Sequence, residues 1–221
     1  MLKLSKICVR DTLKFLDLSV AAGERVLVVG GNGTGKSTLF GVISGRATPE
    51  HGNVIVDGHD VTMIPACRRT HAISSVLQDM KAGMIEEMTI MENMKLAYMR
   101  AGGSKVSKAD IDTFKSKLSI FGMNLESRSH EYVRNLSGGE RQALSIVMAT
   151  SANYKLLLLD EVTSALSQRV SDLVMHSIDE ITSMEKTTCL MITHDTRYMY
   201  SFGDRTLEMK DSVLREVPRS T

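Results

Sequence analysis

The feature that most constrains the fold of this chain is a glycine-rich turn between a buried strand and a helix. After Arg25, the residues up to Val29 are all apolar, which predicts a short strand covered on both faces of a sheet. The segment Gly30-Gly31-Asn32-Gly33-Thr34-Gly35-Lys36-Ser37-Thr38 follows directly and has the form GxxxxGK[ST]. A helix is predicted from Lys36 to Ser44, and Gly45 ends it. This succession predicts an α/β fold with an anion site at the helix start.

The turn has the chemistry of a phosphate-binding loop. Glycines let the backbone wrap an anion without Cβ clashes, so that successive N–H groups point at phosphate oxygens. Lys36 is expected to neutralise the β- and γ-phosphates of a nucleoside triphosphate, and the Ser37 hydroxyl is expected to ligate Mg²⁺. The predicted phosphate-binding residues are Gly30, Asn32, Gly33, Thr34, Gly35, Lys36, Ser37 and Thr38. The alternative, a glycine-rich turn with a chance lysine, is disfavoured by the position between strand and helix.

A second motif places two carboxylates at the end of another buried strand. The run from Leu156 to Leu159 is apolar, and Asp160 and Glu161 follow it. The carboxyl ends of parallel strands are where α/β sheets bind ligands. Asp160 is expected to hold Mg²⁺ through water, and Glu161 to polarise an attacking water. Taken alone the segment also fits a strand followed by a helix cap, but its pairing with the phosphate loop favours catalysis.

The order of the remaining elements predicts a sheet interrupted by a block of helices. Apolar spacing is strand-like before about residue 87 and after about residue 153, and helical between Met88 and Ala152. Further strands are predicted at Leu2–Val9, Leu13–Val20, Asn53–Val56, Ala72–Leu77, Thr188–Ile192, Arg205–Met209 and Val213–Val217, and further helices at Ile90–Met99, Ala109–Phe121, Glu140–Thr150 and Gln168–Met184. The fold class is therefore α/β, with a mixed, mostly parallel sheet, an antiparallel β edge and an inserted helical subdomain.

Composition restricts the partners. The net charge of +1 gives no basic surface for nucleic acid, so no nucleic-acid partner is expected. Three scattered cysteines lack the spacing of a metal site and are expected to be reduced. No stretch approaches the roughly 20 apolar residues that span a bilayer, so the chain is expected to be soluble and to reach a membrane through another protein.

One further segment carries a specific family resemblance. Leu136-Ser137-Gly138-Gly139-Glu140 lies between the two motifs and resembles the signature sequence of ABC (ATP-binding cassette) ATPases. The resemblance implies that two copies pair head to tail, so that Ser137, Gly138, Gly139 and Glu140 of one copy cap the γ-phosphate bound by the other. Small residues and free N–H groups at a helix start suit a phosphate. A plain turn and helix cap is the alternative.

Two more positions follow the family's order. Gln78 resembles the glutamine that contacts Mg²⁺ and the attacking water, and His194 resembles the histidine that contacts the γ-phosphate. The resemblance extends from about Leu2 to Val217 and implies one ABC ATPase domain over residues 1–221. In it, residues 1–87 and 153–221 form a P-loop NTPase (RecA-like) core with a β subdomain, and residues 88–152 form the helical subdomain with the signature loop. The implied cofactors are ATP and Mg²⁺.

The resemblance also implies partners: a second copy of the chain, transmembrane permease subunits and an extracytoplasmic solute-binding protein, at the cytoplasmic face of the plasma membrane. Several stretches, such as Asp57-Gly58-His59-Asp60-Val61-Thr62, are similar to bacterial uptake ATPases for amino-acid-like solutes. The competing function is an ABC-type ATPase of a soluble assembly such as iron–sulfur cluster biogenesis. Chromosome-maintenance relatives need a long coiled coil, and a non-hydrolysing regulatory cassette would not need Lys36, Asp160, Glu161 and His194.

Three positions depart from the family pattern. An aromatic residue usually stacks on adenine near the end of the first strand, but Ile7-Cys8-Val9-Arg10 has none, and Phe15 is expected in the core of the next strand. Arg10 is the candidate replacement, through its planar guanidinium. Val162 stands where proline is usual. Ser167 stands where the family has an aspartate that couples the two sites, which predicts slower or less tightly coupled hydrolysis.

Overall fold

A computed structural model describes residues 1–77, 83–103, 105–151 and 154–218. Its larger sheet has six strands in the order β10-β9-β3-β8-β7-β6, and all neighbours are parallel except the β9–β10 pair. These strands are β3 (Arg25–Val29), β6 (Ile73–Val76), β7 (Leu156–Asp160), β8 (Thr188–Thr193), β9 (Arg205–Lys210) and β10 (Val213–Val217). Because β3, β7 and β8 are neighbours, the residues that follow them meet at one edge of the sheet.

A second sheet is antiparallel and four-stranded, in the order β2-β1-β4-β5. Its strands are β1 (Leu2–Val9), β2 (Leu13–Val20), β4 (His51–Val56) and β5 (His59–Asp60). Together the two sheets confirm the predicted α/β class, with a mostly parallel core and an antiparallel edge. The pattern did not predict β5, whose two residues are too few for an alternation to be read.

The helices in the described residues are α1 (Lys36–Ser44), α2 (Ala66–Arg69), α3 (Ile90–Arg100), α4 (Lys108–Ile120), α5 (Gly138–Thr150) and α6 (Gln168–Met184). All but the single-turn α2 were predicted, within two residues at each end. Thr89, Ser107 and Ser137 begin α3, α4 and α5 with reciprocal capping boxes, which satisfy the free N–H groups of the first turn. None of the helices in the described ranges is both long enough and apolar enough to cross a bilayer.

The central strands are buried on both faces, and successive residues serve two different cores. In β7, Leu157 and Leu159 face a core shared with α3 to α6, whereas Leu156 and Leu158 face a core shared with α1 and the antiparallel sheet. This double burial explains why β3, β7 and β8 are continuously apolar rather than alternating. It also holds the carboxyl ends of these strands rigidly beside the start of α1.

The prediction that Phe15 lies in the core is wrong. Its side chain is 63% exposed and its φ is +53°. Ile7 pairs with Leu16 and Val9 with Leu13, so that two residues of β2 lie opposite Cys8 alone. The extra residue of this β-bulge shifts the alternation, and Leu13 and Leu16 are buried while Phe15 turns outward.

Candidate active site

The phosphate loop is held in place by close backbone contacts that only glycine permits. Gly35 begins α1 in the left-handed region, with φ +103°, and a Cβ there would lie 2.8 Å from the carbonyl oxygen of Thr12. A Cβ on Gly30 would lie 2.5 Å from the carbonyl oxygen of Met209 in β9. The loop is therefore pressed between the β1–β2 turn and the larger sheet, and its backbone is fixed before any ligand arrives.

Lys36 closes this loop from within. Its ammonium Nζ donates hydrogen bonds to the carbonyl oxygens of Gly30, at 2.8 Å, and Gly31, at 2.9 Å. The residue is only 6% exposed. A positive charge enclosed by a ring of backbone groups, at the positive end of the α1 dipole, forms an anion site.

The loop opens into a cavity of about 350 Å³ that brings most of the predicted residues together. Its lining residues are Thr12, Asn32, Gly33, Gly35, Lys36, Ser37, Thr38, Glu161 and His194. Residues from three separate stretches, after β3, β7 and β8, thus share one space. Thr12 is the lining residue that the sequence did not predict, because nothing in the β1–β2 turn itself reveals its approach to Gly35.

Asp160 has the environment of a cation ligand. Its Oδ1 is buried and has no hydrogen-bond partner among the described residues. Burial and the neighbouring Glu161 raise the pKa of Asp160, while the charges of Arg46 and Lys36 oppose that rise. An unpaired buried carboxylate oxygen near the Ser37 hydroxyl supplies the hard oxygen donors that Mg²⁺ prefers, alongside water and phosphate. The residues present therefore fit Mg²⁺.

Glu161 and His194 form a pair at the cavity wall. The Oε2 of Glu161 lies 2.6 Å from Nδ1 of His194 and accepts the backbone N–H of His194 at 3.3 Å. Glu161 has a φ of +51°, an unusual value for a glutamate. Its own N–H donates to the carbonyl of Ile192 at 3.0 Å. The left-handed backbone, tied to β8, is what directs the carboxylate toward the histidine.

The predicted signature residues lie at the start of α5 and do not line this cavity. Ser137 accepts the N–H of Glu140 at 3.4 Å, and the Glu140 carboxylate accepts the N–H of Ser137 at 2.8 Å. The N–H groups of Gly138 and Gly139, in the first turn, have no acceptor among the described residues. A Cβ on Gly139 would lie 2.7 Å from Cγ1 of Val170, so glycine allows α5 to lie close to α6. The helix start thus offers free donors to an anion.

The other singled-out positions differ in what the structure says of them. Gln78 lies outside the described residues. Arg10 lies beside Glu50, with 3.6 Å between Nε and Oε1, and is not among the residues that line the cavity. Val162 is buried, at 4% exposure. Ser167 begins α6, but its hydroxyl makes no capping hydrogen bond.

Comparisons with known proteins agree on one family. The model of the ABC transporter family matches residues 13–164 of the 221 residues. A curated relative, the tyrosine transport ATP-binding protein of Clostridioides difficile, is 34% identical over 91% of this chain and 82% of its own length.

Solved structures show the same fold. The dimeric ATP-binding cassette MJ0796 with ADP and phosphate has a TM-score of 0.82 and 24% identity, over the full length of both chains. The cassette MJ1267 in its ADP conformation has a TM-score of 0.80 and 23% identity, over 97% of this chain and 89% of its own.

Proposed function

This chain belongs to the ABC transporter family, and on that premise we propose that it binds Mg-ATP and hydrolyses it to energise a membrane transporter. The observation that carries the proposal is the single cavity in which Lys36 and Ser37 lie with Glu161 and His194. That set contains a phosphate-binding cation, a metal-binding hydroxyl, a general base and a second phosphate contact.

Each side chain has a role in this chemistry. On binding, the triphosphate takes over the Lys36 ammonium, which otherwise donates to the carbonyls of Gly30 and Gly31. Glu161 orients the attacking water and accepts its proton as the bond to the γ-phosphate forms. His194 fixes the Glu161 carboxylate and donates toward the γ-phosphate oxygens. Lys36 offsets the negative charge on those oxygens in the transition state.

Ser37 and Asp160, with Gln78, are proposed to hold Mg²⁺. When bound, the ion neutralises charge on the β- and γ-phosphates. The unpaired buried oxygen of Asp160 supports this assignment.

A second copy is proposed to complete the site. The signature turn at Ser137 to Gly139 lies outside the cavity of its own chain, and its free N–H groups suit the phosphate held by a partner. Head-to-tail pairing would bury two nucleotides between two copies. The dimeric form of the structurally similar cassette MJ0796 supports this arrangement.

The transporter is proposed to take up an amino-acid-like solute, with permease subunits and an extracytoplasmic binding protein. The name of the relative from Clostridioides difficile supports this class. We propose that residues 88–152 act as a helical subdomain, and that the chain lies peripherally at the cytoplasmic face of the membrane.

Purification from the source cell under mild detergent tests the proposal. Co-purification of integral membrane subunits, with ATPase activity that responds to them, is the expected result. A complex of soluble assembly proteins without membrane subunits would favour the alternative, an ABC-type ATPase that serves iron–sulfur cluster assembly.

A further inference from the structure

We propose that Arg128 is a positioning residue for the signature turn: it holds Glu140 in place and offsets its charge, so that the turn can receive the triphosphate bound by a second copy. This inference rests on the proposed function. Arg128 lies between α4 and α5, twelve positions before Glu140 in the chain, and it belongs to no motif.

The contacts of Arg128 form a chain of three charges. Its Nε donates to Oε2 of Glu131 at 2.7 Å, and one of its terminal nitrogens donates to Oε1 of Glu140. The other oxygen of Glu140, Oε2, accepts the N–H of Ser137 at 2.8 Å. One carboxylate therefore links the arginine directly to the first residue of the turn.

The charges in this chain are partly shielded from water. The Glu140 side chain is 18% exposed and that of Arg128 33%. Burial would raise the pKa of Glu140, but hydrogen bonds from Ser137 and Arg128 outweigh it and lower that pKa below its ordinary value. Glu140 is thus an anion at neutral pH.

An anion at this position has opposite effects on the helix and on the ligand. For α5 the Glu140 carboxylate is favourable, because it completes the capping box and complements the helix dipole. For a triphosphate approaching Gly138 and Gly139 the same charge is repulsive. Arg128 offsets that repulsion at the carboxylate itself. Without it, Glu131 and Glu140 would leave two uncompensated negative charges beside the anion site.

The arginine is also held from below. The segment around it is bonded to the start of α3, where Ile90 N–H donates to Glu131 O at 2.9 Å and Met91 N–H to Ser129 O at 3.0 Å. These backbone bonds fix Arg128 and Glu131 relative to α3. The orientation of the signature turn is therefore connected to the N-terminal end of α3.

The test measures ATP-dependent dimerisation of the purified chain by light scattering, in a Glu161→Gln background that prevents turnover. Arg128→Gln should weaken the dimer about 10-fold, because each of two symmetric sites gains repulsion. The defect should shrink at high salt. ATP affinity of the monomer should stay unchanged, since the phosphate loop is not touched. Arg134→Gln is the matched control, because Arg134 is in the same segment and stacks on Tyr132 at 4.7 Å without contacting Glu140.

A second variant separates charge from general structure. Adding Glu140→Gln to Arg128→Gln removes the uncompensated anion and should recover most of the lost dimer affinity. Unchanged dimerisation in Arg128→Gln, or no recovery in the double variant, would overturn the role of Arg128. If the Glu161→Gln chain itself forms no dimer with ATP, the proposed head-to-tail site fails first, and the inference fails with it.

Discussion

His194 directs its Nδ1 at Oε2 of Glu161 across 2.6 Å, although 33 residues separate the two in the chain. The contact exists because β7 and β8 are adjacent parallel strands, so that the residues after them meet at one edge. If Glu161 is the base, the histidine orients it and leaves the carboxylate accessible from the phosphate loop.

Replacement of the proposed base should stop turnover without stopping binding. Glu161→Gln keeps the shape of the side chain but cannot take a proton, so kcat for ATP hydrolysis should fall by at least about 100-fold. ATP affinity should be retained, and an ATP-bound dimer should accumulate, which gel filtration would detect. Glu180→Gln, at an exposed position of α6, should behave like wild type. Full turnover in Glu161→Gln would rule out this base.

Removal of the phosphate-loop cation should affect binding rather than folding. Lys36→Ala should weaken ATP affinity by roughly 10- to 100-fold, because a charge-assisted contact to phosphate is lost. The melting temperature without nucleotide should not fall, since Lys36 bonds only to the Gly30 and Gly31 carbonyls. Calorimetric titration and thermal scans would measure the two effects. Lys14→Ala, an exposed change, is the control, and equal ATP affinity in both variants would contradict the assignment.

The buried carboxylate of Asp160 should cost stability at neutral pH. Its pKa is raised in the folded chain, mainly by burial, so the native state binds its proton more tightly than the unfolded state does. Stability therefore falls as pH rises from the unfolded pKa through the folded one, and the loss persists above it. Asp160→Asn should raise the nucleotide-free melting temperature at pH 7 by a few degrees and abolish Mg-dependent hydrolysis. The gain should vanish below the unfolded pKa; an equal gain at both pH values would contradict this reasoning.

The bulge at Phe15 should tolerate a smaller residue better than an aromatic one. Phe15→Asn should raise the free energy of unfolding by about 0.5–1 kcal/mol, because asparagine adopts the left-handed region more readily. Little apolar burial is lost, since the ring is mostly exposed. The neighbouring Leu16→Ala should instead destabilise by about 2–5 kcal/mol. Urea unfolding compares the two, and a large loss in Phe15→Asn would mean that the ring is packed.

An acidic residue at Ser167 should strengthen the start of α6. The serine hydroxyl makes no capping bond, so Ser167→Asp should add about 0.5–1 kcal/mol of stability through the helix dipole. In the assembled transporter the same change should raise the ATPase rate, if this carboxylate couples the two sites. Ser167→Ala is the control that removes the hydroxyl without adding charge. A lower or unchanged rate in Ser167→Asp would count against the coupling.

The sequence by itself determined the local chemistry. The GxxxxGK[ST] turn, the LLLLDE strand and the signature segment predicted which residues bear function, because each motif is a contiguous run whose backbone needs are local. Helix limits were equally accessible, since α6 is exactly Gln168–Met184, as its 3.6-residue period predicts.

Tertiary structure decided what depends on pairing between distant segments. The pairing of β1 with β2 creates the bulge that turns Phe15 outward, and no pattern within β2 specifies it. Strand order brings His194 to Glu161, chain folding presses Thr12 against Gly35, and packing of two loops brings Arg128 to Glu140. These contacts join residues with no shared local period, so only the folded backbone, which satisfies both cores at once, could place them.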